Sequence, residues 1–111
     1  MKLFVTGVNG QLGYDVVKEA LHRGYTVIAS DITATYSGAQ GFFNDATYLP
    51  MDITQIETVR DILLKEKPDV VIHCAAWTAV DAAEDAGNSQ KVYEINAKGT
   101  KHIAECCQLL N

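Results

Sequence analysis

The stretch FVTGVNGQLG, residues 4–13, decides the fold, because Gly7, Gly10 and Gly13 recur every third residue directly after an apolar run. Glycine loses more conformational freedom on folding than any other residue, so three of them at this spacing need a physical reason. A helical pattern follows at once, and the unpaired N–H groups at a helix N-terminus attract phosphate groups. The stretch predicts a strand, a tight turn and a helix, either as a plain glycine-rich turn or as a phosphate site.

The residues around the turn favour the phosphate site. In a dinucleotide-binding turn Gly7 makes the turn, Gly10 lets the pyrophosphate approach, and Gly13 lets the helix pack on the strand. Asp31 follows the second predicted strand, where a carboxylate holds both hydroxyls of an adenosine ribose. The alternative for Asp31 is a solvated turn residue. The spacing is G-x-x-G-x-x-G, not the G-x-G-x-x-G of ordinary dehydrogenases.

The charges near Asp31 indicate which dinucleotide is favoured. A carboxylate at this position repels the 2′-phosphate of NADP(H). No Arg or Lys occurs between Asp31 and Gln55, and none occurs in the glycine turn. The sequence therefore favours NAD(H) as the cofactor and leaves NADP(H) open.

Strands and helices alternate along the chain. Short apolar runs predict four strands, at Lys2–Thr6, Thr26–Ser30, Tyr48–Met51 and Asp69–Cys74. Helical spacing predicts helices over Gln11–Arg23, from the Thr54/Glu57 capping box to about Glu66, and over a last helix marked by Val92, Ile95, Asn96, Gly99, Ile103, Cys106 and Leu110. Residues 32–47 read as a loop. The alternation predicts an α/β fold, a Rossmann-type doubly wound parallel sheet of strand order 3-2-1-4, as one domain over residues 1–111 that stops before a fifth strand.

Further cofactor-binding candidates follow the third and fourth strands. Asp52 can accept a hydrogen bond from the adenine amino group while Ile53 packs on the ring, or Asp52 can simply satisfy the start of a helix. The small residues Ala75 and Ala76 would let the ribose and pyrophosphate pass over the strand end, or would serve close packing alone.

Composition excludes several classes of protein. The 111 residues are 48% hydrophobic and carry a formal charge of −5, which suits one acidic globular domain and argues against a nucleic-acid partner. No apolar run of membrane-spanning length and no signal peptide is present, so neither a membrane partner nor secretion is expected. Cys74, Cys106 and Cys107 read as reduced, buried thiols of a cytoplasmic protein, and no metal site is predicted because spaced Cys and His pairs are absent.

The motifs resemble those of the extended short-chain dehydrogenases/reductases, and most closely those of the dTDP-4-dehydrorhamnose reductases. GVNGQLG, DIT, KPDVVIHCAAWTAVDAAED and INAKGT match that family in order and spacing. The resemblance implies reduction of the 4-keto group of a nucleotide-sugar substrate, dTDP-4-dehydro-L-rhamnose. It places Gly10, Gln11 and Leu12 at the phosphates, Asp31 at the ribose, Asp52 and Ile53 at the adenine, and Ala75, Ala76, Trp77 and Thr78 along the cofactor, with Asn96 supporting the catalytic site.

Three positions depart from the family pattern and leave other functions open. His73 stands where these reductases usually have Asn and epimerases often have His, and Trp77 and Ala82 also differ. The alternatives are an NAD-dependent nucleotide-sugar epimerase or dehydratase, and a non-catalytic dinucleotide-binding regulatory subunit. His73 ends a buried strand and therefore reads as a hydrogen-bonded core histidine rather than as a catalyst.

The catalytic Tyr-x-x-x-Lys pair that the family implies has one match in the chain, Tyr14 and Lys18. These residues fall in the first predicted helix, beside the phosphates and far from the nicotinamide, so we interpret the match as chance. The expected pair lies beyond a fifth strand. The chain is therefore expected to be the cofactor-binding half of an enzyme, inactive alone, and a homo-oligomer because the edge of its fourth strand is open.

Overall fold

The computed structural model describes residues 1–36, 38, 41–75 and 94–110, with the backbone alone at 94–96, 109 and 110. Within these described residues, four strands and three α-helices follow one another, with one π-helical turn before the last helix. They are β1 (Lys2–Thr6), α1 (Gln11–His22), β2 (Thr26–Asp31), β3 (Thr47–Pro50), α2 (Ile56–Glu66), β4 (Val70–His73), the π-helical turn (Glu94–Gly99) and α3 (Thr100–Leu110).

The strands form one parallel sheet in the order β3-β2-β1-β4, which confirms the predicted fold and strand order. Thr6 at the end of β1 pairs with Ser30 of β2 and with His73 of β4, and Asp31 pairs with Pro50 at the end of β3. The carboxyl ends of all four strands therefore meet at one edge of the sheet, where ligands of this class of fold bind.

Each face of the sheet carries its own apolar core, because successive residues of a strand point to opposite faces. On one face Leu3 and Val5 pack with Val17 of α1. On the other face Phe4 packs with Leu63 of α2 and with Ile103 of α3. Helices on both faces explain the apolar character of the two inner strands, β1 and β2, which are largely buried. β4 was expected to be buried as well, but its residues are exposed or half-buried because it forms the edge of the described sheet.

Two glycines set how closely helices approach the rest of the fold. A Cβ on Gly13 would overlap the carbonyl of Gly7, so α1 can lie this close to the turn only with glycine at that position. A Cβ on Gly99 would come within 2.5 Å of the Ile53 side chain, so a larger residue where the last helical segment docks on the loop after β3 would force that side chain to move.

The start of α2 differs from the prediction. The predicted Thr54/Glu57 capping box does not form: the helix starts at Ile56, its N-cap is Gln55, and no side chain caps it. The hydroxyl and N–H of Thr54 instead donate to Oδ1 of Asp52, at 2.7 and 3.0 Å. A short acidic side chain two residues upstream competes with the helix for the threonine, which is the general behaviour of Asp in turns.

The three cysteines are free thiols, as expected, but only Cys106 is fully buried, and Cys74 and Cys107 are half-buried. Burial raises the pKa of all three thiols, so they are protonated near neutral pH.

Candidate functional site

A cleft of about 770 Å³ opens at the carboxyl edge of the sheet. Nine of the predicted cofactor-binding residues line it: Gly7, Gly10, Gln11, Leu12, Gly13, Asp31, Asp52, Ile53 and Ala75. Ala76, Trp77 and Thr78 lie outside the described residues, and so does the side chain of Asn96. The structure thus brings together residues from four separate parts of the sequence.

The glycine turn leaves the N-terminus of α1 bare toward the cleft. Gly7 has φ +72°, a left-handed conformation that favours glycine, and a Cβ there would lie 2.5 Å from the Ala75 nitrogen. Gly10 is the N-cap of α1 and no side chain caps the helix. A Cβ on Gly10 would meet only the Gly7 carbonyl, at an ordinary 3.5 Å, so the protein itself does not require glycine there.

Asp31 is held by backbone groups on both sides. Its Oδ2 accepts the N–H of Asn9 at 2.9 Å, and its Oδ1 accepts the N–H of Ile32 at 2.8 Å. The side-chain amide of Asn9 donates to Thr33 Oγ1 at 2.9 Å, and a Cβ on Gly38 would come within 2.7 Å of Asn9 Cα. The segment after β2 therefore folds back over the glycine turn beside the carboxylate.

Asp52 and Ile53 line the cleft opposite the glycine turn, but both also have structural contacts. Oδ1 of Asp52 accepts two hydrogen bonds from Thr54. Ile53 is only 7% exposed and belongs to the core beneath α3, and its carbonyl accepts a hydrogen bond from His102 Nδ1 at 2.9 Å. Asp52 therefore does not satisfy the start of α2, which was its alternative role: its side chain bonds Thr54 in the turn before the helix, and the N-cap is Gln55.

His73 also lines the cleft, with both ring nitrogens hydrogen-bonded. Nδ1 lies 2.7 Å from Thr6 Oγ1, and Nε2 lies 3.0 Å from Thr100 Oγ1. Oγ1 of Thr6 in turn accepts the N–H groups of Cys74 and Ala75. Burial lowers the pKa of His73 from its ordinary value, so the ring is neutral at pH 7.

Several cleft residues were not predicted from the sequence: Thr6, Ser30, Ile32, Met51, Cys74 and Thr100. Thr6 and Ser30 end strands, so the rule that ligands bind at the carboxyl ends of strands could have found them. No local pattern points to Thr100. Tyr14 and Lys18 do not line the cleft: Tyr14 packs on Phe43, with ring centroids 4.9 Å apart, and Lys18 is exposed.

The cleft carries acidic groups and, among the residues that the structure describes, no Lys or Arg lines it. These residues also contain no group of three or more His, Cys, Asp or Glu side chains that could hold a metal ion. In the same described part, none of the helices has the length and apolar character needed to cross a membrane.

The whole chain, residues 1–111, matches the family model described as the RmlD substrate binding domain. The chain belongs to the RmlD substrate-binding-domain family. This membership confirms the family resemblance on which the sequence interpretation relied.

Several curated relatives of this RmlD-family chain are named as reductases. The dTDP-4-dehydrorhamnose reductase of Streptomyces griseus is 34% identical over 104 residues, which are 94% of this chain and 28% of that protein. The probable low-salt glycan biosynthesis reductase Agl14 of Haloferax volcanii is 35% identical over 96% of this chain and 33% of its own length. The chain thus spans about a third of the curated relatives that it matches.

Solved structures agree with the RmlD-family fold. The dTDP-4-dehydrorhamnose reductase of Bacillus anthracis, solved with NADP, is 31% identical with a TM-score of 0.76 over 98% of this chain and 33% of that chain. The UDP-glucose 4-epimerase of Thermus thermophilus, solved with NAD, is 25% identical with a TM-score of 0.86 over 99% of this chain and 34% of that chain. The fold is that of the extended short-chain dehydrogenases/reductases.

Proposed function

We propose that this chain is the dinucleotide-binding part of a reductase that converts the 4-keto group of dTDP-4-dehydro-L-rhamnose to the alcohol of dTDP-L-rhamnose. One observation carries the proposal: at the carboxyl edge of the sheet, the uncapped N-terminus of α1 and the oriented carboxylate of Asp31 share one cleft. Family membership and the curated reductase relatives support the reaction.

The cleft fits a nicotinamide dinucleotide. The first backbone N–H groups of α1 have no partner within the helix, so at Gln11 and Leu12 they suit a pyrophosphate. Gly10 leaves the approach to these N–H groups open because it has no side chain. A Cβ at this position would make only an ordinary contact within the protein, so the fold itself does not account for the glycine. Asp31 is placed to take the hydroxyls of the adenosine ribose, and Asp52 and Ile53 to flank the adenine. When bound, the dinucleotide supplies the hydride, as the NADP and NAD complexes of the relatives suggest for the class.

The preferred dinucleotide is NAD(H). A 2′-phosphate beside Asp31 would be repelled by the carboxylate, and the described cleft lining offers no Lys or Arg to neutralise it. Gly38 packs on Asn9 next to Asp31, which limits the space on that side. The Bacillus anthracis relative was solved with NADP, so the test of this preference compares both dinucleotides.

A nucleotide-sugar epimerase is the second candidate, because the Thermus thermophilus epimerase gives a TM-score of 0.86. Ala75, Ala76, Trp77 and Thr78 would lie along the cofactor in either enzyme, and Asn96 would support the catalytic site. Because the same residues would contact the cofactor in either enzyme, the choice of sugar depends on residues that do not line this cleft.

The decisive experiment gives the complete protein dTDP-4-dehydro-L-rhamnose with NADH or NADPH and follows oxidation of the nicotinamide. We expect turnover with both, faster with NADH at low cofactor concentration. Epimerisation or dehydration of another nucleotide sugar without net cofactor oxidation would favour the second candidate. Cofactor binding with no turnover on any nucleotide sugar would favour a regulatory subunit.

The 111-residue chain by itself should give no turnover in this assay. The Tyr14 and Lys18 pair is outside the cleft, so it cannot act on a substrate bound there. Turnover by the isolated chain that is lost in Tyr14→Phe would show that this pair is catalytic after all.

A further inference from the structure

A chain of hydrogen bonds crosses the floor of the cleft from β1 to α3, with Thr6 at its centre. Oγ1 of Thr6 accepts the backbone N–H of Cys74 at 3.0 Å and that of Ala75 at 3.1 Å. A threonine hydroxyl has two lone pairs and one proton. The two N–H groups use both lone pairs, so the proton is donated to the remaining neighbour, His73 Nδ1, at 2.7 Å.

This count of donors assigns the proton on His73. Because Nδ1 accepts, the proton of the neutral ring is on Nε2, which donates to Thr100 Oγ1 at 3.0 Å. An imidazolium would carry a second N–H at Nδ1, pointing at a hydroxyl that has no free lone pair. Burial acts in the same direction, since it lowers the pKa of His73 from 6.5.

We propose that His73 is a positioning residue of the dinucleotide site. As the neutral Nε2–H tautomer it ties Thr6 to Thr100. These two hydrogen bonds hold the Cys74–Ala75 backbone against Gly7. The packing there is close, since a Cβ on Gly7 would lie 2.5 Å from the Ala75 nitrogen, so this backbone at the floor of the cleft can move little. The inference rests on the proposed function, because the position of this backbone matters to binding only if a dinucleotide lies on it.

The tautomer can be measured on the wild-type protein without any variant. In protein labelled with ¹⁵N at histidine, long-range ¹H–¹⁵N correlations distinguish a proton on Nε2 from a proton on Nδ1. At about pH 7.5, where an ordinary histidine is neutral, we expect the Nε2–H pattern for His73. An Nδ1–H pattern or a doubly protonated ring would overturn the assignment and the proposal with it.

Two amide substitutions separate the two hydrogen bonds of His73. In His73→Asn the amide oxygen replaces Nδ1 and still accepts from Thr6, while the contact with the exposed Thr100 is lost to water. In His73→Gln the amide nitrogen replaces Nε2, while the buried hydroxyl of Thr6 loses its acceptor. We expect the Kd for NADH to rise about threefold in His73→Asn and about tenfold in His73→Gln, because an unsatisfied buried group costs more than an exposed one.

A pair of Thr6 variants tests the same chain from its centre. Thr6→Val keeps the shape but removes the hydroxyl that accepts from Ala75, and it leaves the N–H of Cys74 only its longer bond of 3.3 Å to the Thr6 carbonyl. It should raise the Kd for NADH about tenfold or more. Thr6→Ser keeps the hydroxyl, so its Kd for NADH should stay within about twofold of the wild-type value. If Thr6→Val does not fold, the NADH affinities of the two His73 variants and the tautomer measured by NMR test the proposal.

The matched controls are His22→Asn and His22→Gln, on the exposed end of α1, which should leave NADH binding unchanged. Wild-type affinity in both His73 variants, with NADH bound normally by the wild type, overturns the positioning role and leaves the proposed function standing. A wild-type protein that binds neither NADH nor NADPH contradicts the proposed function instead.

Discussion

The backbone N–H of Asn9 donates a hydrogen bond of 2.9 Å to Oδ2 of Asp31, joining two residues 22 positions apart. The bond fastens the glycine turn to the end of β2, and the second bond, from Ile32 to Oδ1, fixes the plane of the carboxylate. Asp31 is therefore oriented by the protein itself, and a ribose would not have to order it. Preorganisation of this kind lowers the entropic cost of binding.

Asp31→Ala should weaken binding of NADH about tenfold to hundredfold, because hydrogen bonds to a charged group are worth about 1.5–3 kcal/mol. NADPH should lose less, since the substitution also removes a charge that repels its 2′-phosphate. Titration of the complete protein with each dinucleotide measures both Kd values. Asp15→Ala, at an exposed position of α1, is the control. Unchanged affinity for both dinucleotides in Asp31→Ala would refute the ribose assignment.

Gly10→Ala and Gly13→Ala should fail in different ways. Gly10 has φ −85° and space for a Cβ, so Gly10→Ala should melt close to the wild type yet bind NADH much more weakly, because the methyl group projects where the pyrophosphate must approach. Gly13→Ala should lose stability, since its Cβ would overlap the Gly7 carbonyl. Thermal melts and NADH titrations of both variants make the comparison. A Gly10→Ala protein with wild-type affinity would argue against a phosphate at this turn.

The stability of the protein should fall with acidification through His73. Desolvation holds the pKa of this half-buried ring below 6.5 in the folded state, so between the folded pKa and 6.5 the unfolded chain binds more protons than the folded one. Its contribution is therefore complete above pH 6.5 and is lost as the pH falls toward the folded pKa. The other titratable residues that line the cleft with His73 are Asp31, Asp52 and Cys74.

Denaturant unfolding of the wild type and of His73→Asn, from about pH 8 to about pH 5, tests this linkage. The free energy of unfolding should fall less steeply with acidification in His73→Asn than in the wild type, because the group that must take up a proton has been removed. His22→Asn should keep the wild-type slope. Equal slopes in the wild type and His73→Asn would show that His73 titrates normally.

Leu63 and its neighbour Leu64 provide a test of the second core. Leu63 is 0% exposed between the sheet and α3, whereas Leu64 is 40% exposed. Leu63→Ala should lower the free energy of unfolding by about 2–5 kcal/mol, through lost burial and the cavity left behind. Leu64→Ala should cost less than about 1 kcal/mol. Denaturant unfolding measures both values, and equal losses would contradict the packing of α2 described here.

The parts of the fold that local patterns encode were predictable. Apolar runs predicted each end of all four strands to within one residue. Their alternation with helices predicted the order 3-2-1-4, because crossovers between parallel strands are right-handed. The glycine spacing and Asp31 located the cleft, since both lie at strand ends that a parallel sheet must bring to one edge.

The parts that depend on distant contacts were not predictable. The partners Thr6 and His73 are 67 residues apart, and His73 and Thr100 are 27 residues apart, so no window of sequence contains either bond. The Thr54/Glu57 motif is local, yet the capping box predicted from it is wrong, because Thr54 donates its hydroxyl and its N–H to Asp52 and the helix begins one residue later than the motif requires. Motifs for helix ends therefore need the residues just upstream to be weighed as competitors.

The inner position of β1 has a consequence for the order of events on the ribosome. β1 leaves the exit tunnel before β4, yet one of its two edges pairs with β4, as Leu3 does with Val70. Until β4 has been translated, that edge of β1 stays unpaired, and closing the intervening loop is slow. Pausing of translation between codons 31 and 70 would prolong this exposure, so synonymous changes there should alter the yield of folded protein without changing a single residue.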